Sequence, residues 1–133
     1  MSNPKWITTS QIERLHIKLI EQTGGSLGLR DSSLLDSALA RPRDLYAYGE
    51  QDIFLLAASY AEGLSRNHPF VDGNKRIGFA AADIFLFMNG LELLPRLDDG
   101  HVHVMETLSQ GHMSREEAAK HFKKNCRSIK RGK

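Results

Sequence analysis

Two long apolar segments at helical spacing, Ile53–Asn67 and Asn74–Met88, are separated only by a break at Pro69 and Gly73. Apolar residues recurring every three to four positions must bury a helix face against something else. Asp52 is placed to cap the first segment and Asn89-Gly90 to stop the second. The second is apolar nearly all round, which marks it as a central helix. The same periodicity supplies its neighbours. Thr8–Gln22 carries Ile12, Leu15, Ile17, Leu19 and Ile20, with Thr9 or Ser10 as cap and Gly24-Gly25 as stop. Asp31-Ser32 opens a helix with Leu34, Leu35, Ala38 and Leu39 that is expected to end at Pro42. His101–Ser109 reads as a helix, and Ser114–Glu117 is a capping box that opens the last one. Residues 43–51 and 91–100 read as loops. Gly24–Gly28 reads as a flexible loop or one short hairpin. The expectation is an all-α, single-domain bundle of about six helices around a central apolar helix.

A chain of 133 residues is one domain, and 41% apolar with 26% charged residues is globular composition. The formal net charge of +2 hides a split. Residues 1–118 hold eleven basic and all sixteen acidic residues, a formal −5, whereas 119–133 carry +7. We therefore divide the chain into a body, 1–118, and a basic helix end and tail, 119–133, expected to be solvated and frayed. A pI near 8.8 is then no argument for a nucleic-acid surface. No helix-turn-helix, zinc spacing or aromatic-interleaved basic patch supports direct nucleic-acid binding either. The lone Cys126 excludes an intrachain disulfide, favours a reducing compartment, and reads as an incidental helix residue. No secretory leader is read at the N-terminus, and the longest apolar stretch, Phe79–Met88, is too short to span a bilayer. A cytoplasmic protein with no membrane partner is expected.

One segment carries chemistry. Residues 68–76 read His68-Pro-Phe70-Val-Asp72-Gly73-Asn74-Lys75-Arg76 between the two strong helices. Gly73 and Asn74 fall at a helix N-terminus, where unpaired N–H groups and the positive dipole end form an anion site. Lys75 and Arg76 add positive charge and donors for phosphate oxygens. Asp72 is a hard oxygen ligand suited to Mg²⁺. His68 is a base of near-neutral range. Base, metal ligand, anion hole and cations within nine residues suit the attack of a hydroxyl on a nucleotide phosphate. Phe70 is expected to anchor the loop in the core. Arg66, two residues upstream, either reaches phosphate or is a solvated helix-end charge.

This stretch resembles the Fic/Doc motif His-x-Phe-x-(Asp/Glu)-Gly-Asn-(Gly/Lys)-Arg at every position. Gly28–Asp31, Leu34-Leu35, Ser37–Leu39 and Pro42 look like the upstream part of Doc-type (death-on-curing) proteins, and Phe85–Gly90 like the downstream part. The resemblance spans most of residues 8–95 and makes the body, 1–118, a Fic/Doc-like catalytic domain. Fic-type adenylyltransferases continue Gly-Asn-Gly-Arg-x-x-Arg. Here Lys75 replaces the third of these residues, and Phe79 the last arginine. The Lys pattern resembles Doc. It implies a nucleotide turned γ-phosphate toward the target, and hence a protein kinase using ATP and Mg²⁺. By resemblance His68 is the general base, Asp72 holds Mg²⁺, Gly73 and Asn74 line the anion hole, and Lys75 and Arg76 neutralise phosphate charge. The implied target is a Ser/Thr hydroxyl of the translation machinery, elongation factor Tu in particular, with arrested protein synthesis as the outcome. Gly24–Arg30 lies where the family carries a target-pinning flap.

Many Fic proteins carry an inhibitory helix, (Ser/Thr)-x-x-x-Glu-(Gly/Asn). Thr9-x-x-x-Glu13 approaches it, but Arg14 follows. The brake is therefore expected from a separate Phd-like antitoxin, whose C-terminal segment folds on binding. The alternatives are AMP transfer by the same His68 and Asp72, and a non-enzymatic nucleic-acid binder suggested by the tail. A metallohydrolase built on His101 and His103 is weak, because an i, i+2 pair does not face one ligand. His16, His112 and His121 read as surface residues.

Overall fold

A computed structural model describes residues 3–129; Lys130, Arg131 and Lys133 of the basic tail lie outside the described residues. The chain order is α1 Thr9–Thr23, α2 Ser32–Ala47, α3 Ile53–Asn67, α4 Asn74–Met88, β1 Leu91–Leu93, α5 Gly100–Ser109, α6 Arg115–Lys124 and β2 Cys126–Ser128. Among the described residues this is the expected six-helix, mostly α bundle, with one two-stranded sheet. None of these helices is long and apolar enough to cross a membrane.

The central helix is α3, not α4. Every residue from Leu55 to Ser65 is buried, because α3 packs against α2, α4, α5 and α6 together. Helix α4 keeps an outer face, with Ile84 and Phe87 exposed. Close approach of the two explains Gly78, where a Cβ would meet the Ala61 carbonyl at 2.9 Å. The buried carboxylate of Glu62 ties three helices, with Arg66 at 3.0 Å, Arg115 at 2.9 Å and Arg41 at 4.0 Å.

Local signals account for most helix ends. Asp31 and Asp52 cap α2 and α3 through their carboxylates, and Ser114–Glu117 forms the capping box of α6. Helix α1 is capped one residue earlier than expected, by a Thr8–Gln11 capping box. Helix α2 runs through Pro42 to Ala47. The proline removes one ladder hydrogen bond, but the next turn carries Leu45 and Tyr46, which pack on the core. The expected loop at 91–100 begins instead with β1, which pairs antiparallel with β2 in the register Leu91↔Ser128, Glu92↔Arg127, Leu93↔Cys126. Cys126 is thus a strand residue, and the tail up to Ile129 is not frayed: Ala119 and Phe122 are buried, and the Ile129 N–H donates to Gly90 O. Alternation over three residues is too short a pattern to separate a strand from a loop.

The sheet is locked to α5 and α6 by a histidine relay. His101 Nε2 lies 2.8 Å from Leu94 O, and His101 Nδ1 lies 2.8 Å from His121 Nε2. A carbonyl only accepts, so His101 Nε2 carries the proton and Nδ1 accepts from His121 Nε2–H. Asn125 faces His121 Nδ1 at 3.4 Å, its own Oδ1 held by Arg96. The Asn125 contact and the bond to His101 Nδ1 are both met only when His121 is neutral, so His121 is half-buried structure and not a surface residue. Burial first, then the neighbouring His101, Arg96 and Lys124, push its pKa down to about 4. Between about pH 6.5, where an unfolded imidazole titrates, and about 4, the unfolded state binds more protons. Stability therefore falls as pH falls through that window. The expected outcome is a drop in Tm between pH 7 and pH 5 that is clearly smaller in His121→Gln; equal drops would refute the relay.

Candidate active site

The break between α3 and α4 is shaped by three side chains that satisfy its own backbone. Buried backbone N–H and C=O groups outside helix and sheet need such partners. Asn74, buried at the start of α4, turns its amide back onto the loop: Oδ1 accepts from Phe70 N at 3.0 Å and Nδ2 donates to Phe70 O at 2.9 Å. Phe70 is only 3% exposed, which is the anchoring role expected of it. His16 of α1 stacks flat on the Phe70 ring, centroids 3.8 Å apart, and its Nε2 donates to Asp72 O at 2.7 Å. Arg30 closes the outer side, with Nε on His68 O at 2.7 Å and Nη2 on Asn67 O at 3.0 Å.

Gly24–Asp31 lies along this loop and is not a hairpin of its own. Arg30 and Asp31 N–H groups share Pro69 O, Val71 N donates to Gly28 O, and Leu29 bridges Phe70. At Gly25 the backbone has φ +115°, and a Cβ would sit 2.6 Å from Asp72 Oδ2, so glycine alone fits there. That close approach lets the Ser26 N–H reach the same oxygen at 3.1 Å.

The motif side chains converge on a cavity of about 300 Å³ lined by His68, Val71 and the run Asp72–Arg76. Gly73 at φ +76° is the N-cap of α4 and offers no side-chain cap. The first-turn N–H groups of Asn74, Lys75 and Arg76 have no intrahelical acceptor, and the dipole there is positive. Asp72 accepts from Gly73 N at 2.8 Å as well as from Ser26 N. These two bonds, the Ser26 one first, lower its pKa, so the carboxyl stays charged. With about half its side chain exposed, it is a hard oxygen donor open to solvent, of the kind that could hold Mg²⁺, an ion often bound through one or two carboxylates.

His68 is the one non-glycine residue with positive φ (51°) among the described residues. This left-handed turn ends α3 and presents an exposed imidazole at the rim of the cavity. Its Nδ1 lies 3.5 Å from Asn74 Nδ2, a contact at the edge of hydrogen-bond range that leaves the ring free to act. The two cations are engaged by the protein itself. Lys75 pairs with Glu106 of α5 at 2.7 Å, and Arg76 binds Thr23 Oγ1 and Gly24 O and lies 3.7 Å from Asp72. Arg66 is not brought to the cavity. Its guanidinium is spent on Glu62, Leu108 O and Met113 O, where it joins α3 to the α5–α6 turn.

The sequence reading missed His16. Its signal was the stripe Ile12, His16, Ile20, the three buried residues of α1, whereas Ile17, expected inward, is 46% exposed. Ser26 and Glu106 were missed as well, since nothing local in the sequence ties either to residues 72 or 75.

The model of the Fic/DOC family matches residues 6–86, which contain all of these motif residues. The chain belongs to the Fic/Doc family. It is 46% identical over 78 residues to "Toxin Doc" of Mycolicibacterium smegmatis, covering 56% of this chain and 59% of that one. It is 32% identical over 96 residues to "Protein kinase doc" of Escherichia phage P1, covering 70% and 76%. The match thus spans under two-thirds of the first relative's length and about three-quarters of the second's.

His16→Phe keeps the stacked ring and removes the donor to Asp72 O. The expected loss is about 1–3 kcal/mol in unfolding free energy, the cost of a buried carbonyl left unpaired. Urea titration measures it, and an unchanged midpoint would refute the assigned bond.

Proposed function

We propose that this protein is a Doc-like toxin that transfers the γ-phosphoryl group of ATP to a Ser/Thr hydroxyl of a protein target. The observation that carries this reading is the convergence of the α4 N-terminus, Asp72, Lys75 and Arg76 on one cavity with His68 exposed at its rim. The terminal phosphate fits against the N–H groups of Asn74, Lys75 and Arg76. Lys75 and Arg76 exchange their internal partners for phosphate oxygens and neutralise the charge that develops in transfer. His68 takes the hydroxyl proton, the hydroxyl oxygen bonds to the γ-phosphorus, and the bond from that phosphorus to the β–γ bridging oxygen breaks, releasing ADP. Asp72 would hold Mg²⁺, which when bound offsets phosphate charge.

Phe79 supports phosphoryl over AMP transfer. It occupies the position of the second arginine in the adenylyltransferase pattern, and its ring packs against His101 at 5.0 Å instead of offering a phosphate clamp. The relative named "Protein kinase doc" supports the same choice. By this reading the target belongs to the translation machinery, elongation factor Tu first among candidates, and a separate Phd-like antitoxin supplies the brake. A cytoplasmic site of action follows from such a target.

ATP labelled at the γ or the α phosphate, incubated with the protein and a cell lysate, tests the reading. Label is expected to pass to protein from the γ position alone. His68→Ala and Asp72→Ala are each expected to lower the rate by at least about 100-fold. Transfer from the α position alone would show AMP transfer instead, and full activity in both variants would overturn the roles given to them.

A further inference from the structure

We propose that the free edge of β2, set among basic residues, takes an extended acidic segment of a partner protein as a third, antiparallel strand. The inference is independent of the chemistry proposed for the motif cavity, with which this surface shares no residue.

The register decides which backbone groups are free. Leu94 N–H donates to Asn125 O and Ile129 N–H to Gly90 O, so residues 90, 92 and 94 form the hydrogen-bonded pairs with 129, 127 and 125. In an antiparallel ladder the residues between such pairs turn their peptide groups the other way. On β2 these are Cys126 and Ser128. Their N–H and C=O groups point away from β1, and among the described residues nothing else bonds them. Ser128 is exposed, Cys126 is half-buried, and β1 is the one strand beside them. Such an edge is a template for another chain. Main-chain bonds then supply affinity and alternate side chains specificity. A cavity of about 390 Å³ lined by Glu92, Arg127, Ser128 and Ile129 opens beside the edge and gives incoming side chains room.

Charge selects the occupant. Residues 119–133 hold seven basic residues and no acidic one. Lys123 and Lys124, in the last turn of α6, are exposed, and among the described residues neither pairs with a carboxylate. Cys126 packs on the core beside its cross-strand partner Leu93, so Arg127 and Glu92 share the outer face of the sheet. They pair at 2.7 Å with the Arg127 side chain 66% exposed. A pair so exposed is worth little, and Arg127 is open to a second carboxylate. In a strand added antiparallel to β2, the residue opposite Arg127 takes the non-hydrogen-bonded position, where side chains come closest. An opposite charge there is favourable. A second copy of β2 would instead set two basic segments side by side, which like charges oppose. The segment that fits therefore alternates, with Glu or Asp beside Arg127 and apolar residues beside Cys126 and Ser128.

An end-capped, fluorescent Val-Glu-Val-Glu-Val-Glu-Val peptide tests this by anisotropy. The full chain is expected to bind it, more weakly as salt rises, and not to bind the same pattern built from Lys and Val. N-methylation of the valine amides removes the donors that face β2 and is expected to weaken binding roughly tenfold or more, whereas N-methylation of the glutamate amides is tolerated. Ser128→Pro deletes an outward N–H while the bonds of Arg127 and Ile129 to β1 remain, and it is expected to weaken binding by a similar factor. The methylated peptides decide the matter should that variant fail to fold. Lys123→Glu combined with Lys124→Glu is expected to weaken binding as well. Absence of binding by the Glu/Val peptide, or equal binding of its valine-methylated form, would overturn the proposal. Tighter binding of a single-stranded oligonucleotide of equal charge would assign the basic surface to nucleic acid and overturn it too.

Discussion

A loop that must bury a phenylalanine also has to bury the peptide groups on either side of it. Residues 68–72 belong to no helix or named strand and bond, backbone to backbone, only the short Gly28–Asp31 stretch, yet Phe70 lies in the core. Around the Phe70 ring itself two side chains from outside the loop complete the bonding. Asn74 takes both polar groups of Phe70, and His16 takes the carbonyl of Asp72 while stacking on the Phe70 ring. With those groups satisfied the turn can be tight. Gly73 then sets the start of α4, and His68 is held in a left-handed turn at the rim. The candidate site is thus a consequence of how one buried aromatic residue is accommodated.

The same economy governs the charges. Asp72 keeps its charge because Ser26 and Gly73 N–H groups stabilise it. Lys75 and Arg76 are balanced by Glu106, Thr23 and the Gly24 carbonyl. These partners are exposed or half-exposed, and exposed pairs are worth little. A phosphate, with more charge and several acceptor oxygens, would exchange for them at small cost. Glu62 is different: it is buried and takes Arg66 and Arg115 directly, which is why Arg66 serves the fold and not the cavity.

Much of this was legible in the sequence. Strong periodicity in 53–67 and 74–88 marked both flanking helices, Asp31, Asp52 and Ser114 marked the starts of α2, α3 and α6, and residues 68–76 carried enough chemistry to mark the site. What was not legible depended on distant pairing. β1 and β2 are three residues each and become strands only by meeting across α5 and α6. His121 looked like a surface residue because its partner, His101, is 20 positions away. Pro42 read as a stop because local strain was visible and the packing of Leu45 and Tyr46 was not. Arg66 could not be placed from its own helix alone: Glu62 is a neighbour there, but the Leu108 and Met113 carbonyls that fix the guanidinium lie at the end of α5 and in the turn after it.

The central claim is that the N-terminus of α4, with Asp72 beside it, holds the terminal phosphate of a nucleotide in front of His68. A crystal structure of the His68→Ala protein with ATP and Mg²⁺ tests it most directly. The account predicts the γ-phosphate within hydrogen-bond reach of the Asn74, Lys75 and Arg76 N–H groups, with Asp72 on the metal and Lys75 released from Glu106. An ordered nucleotide bound elsewhere, with the Lys75–Glu106 pair intact, would contradict it.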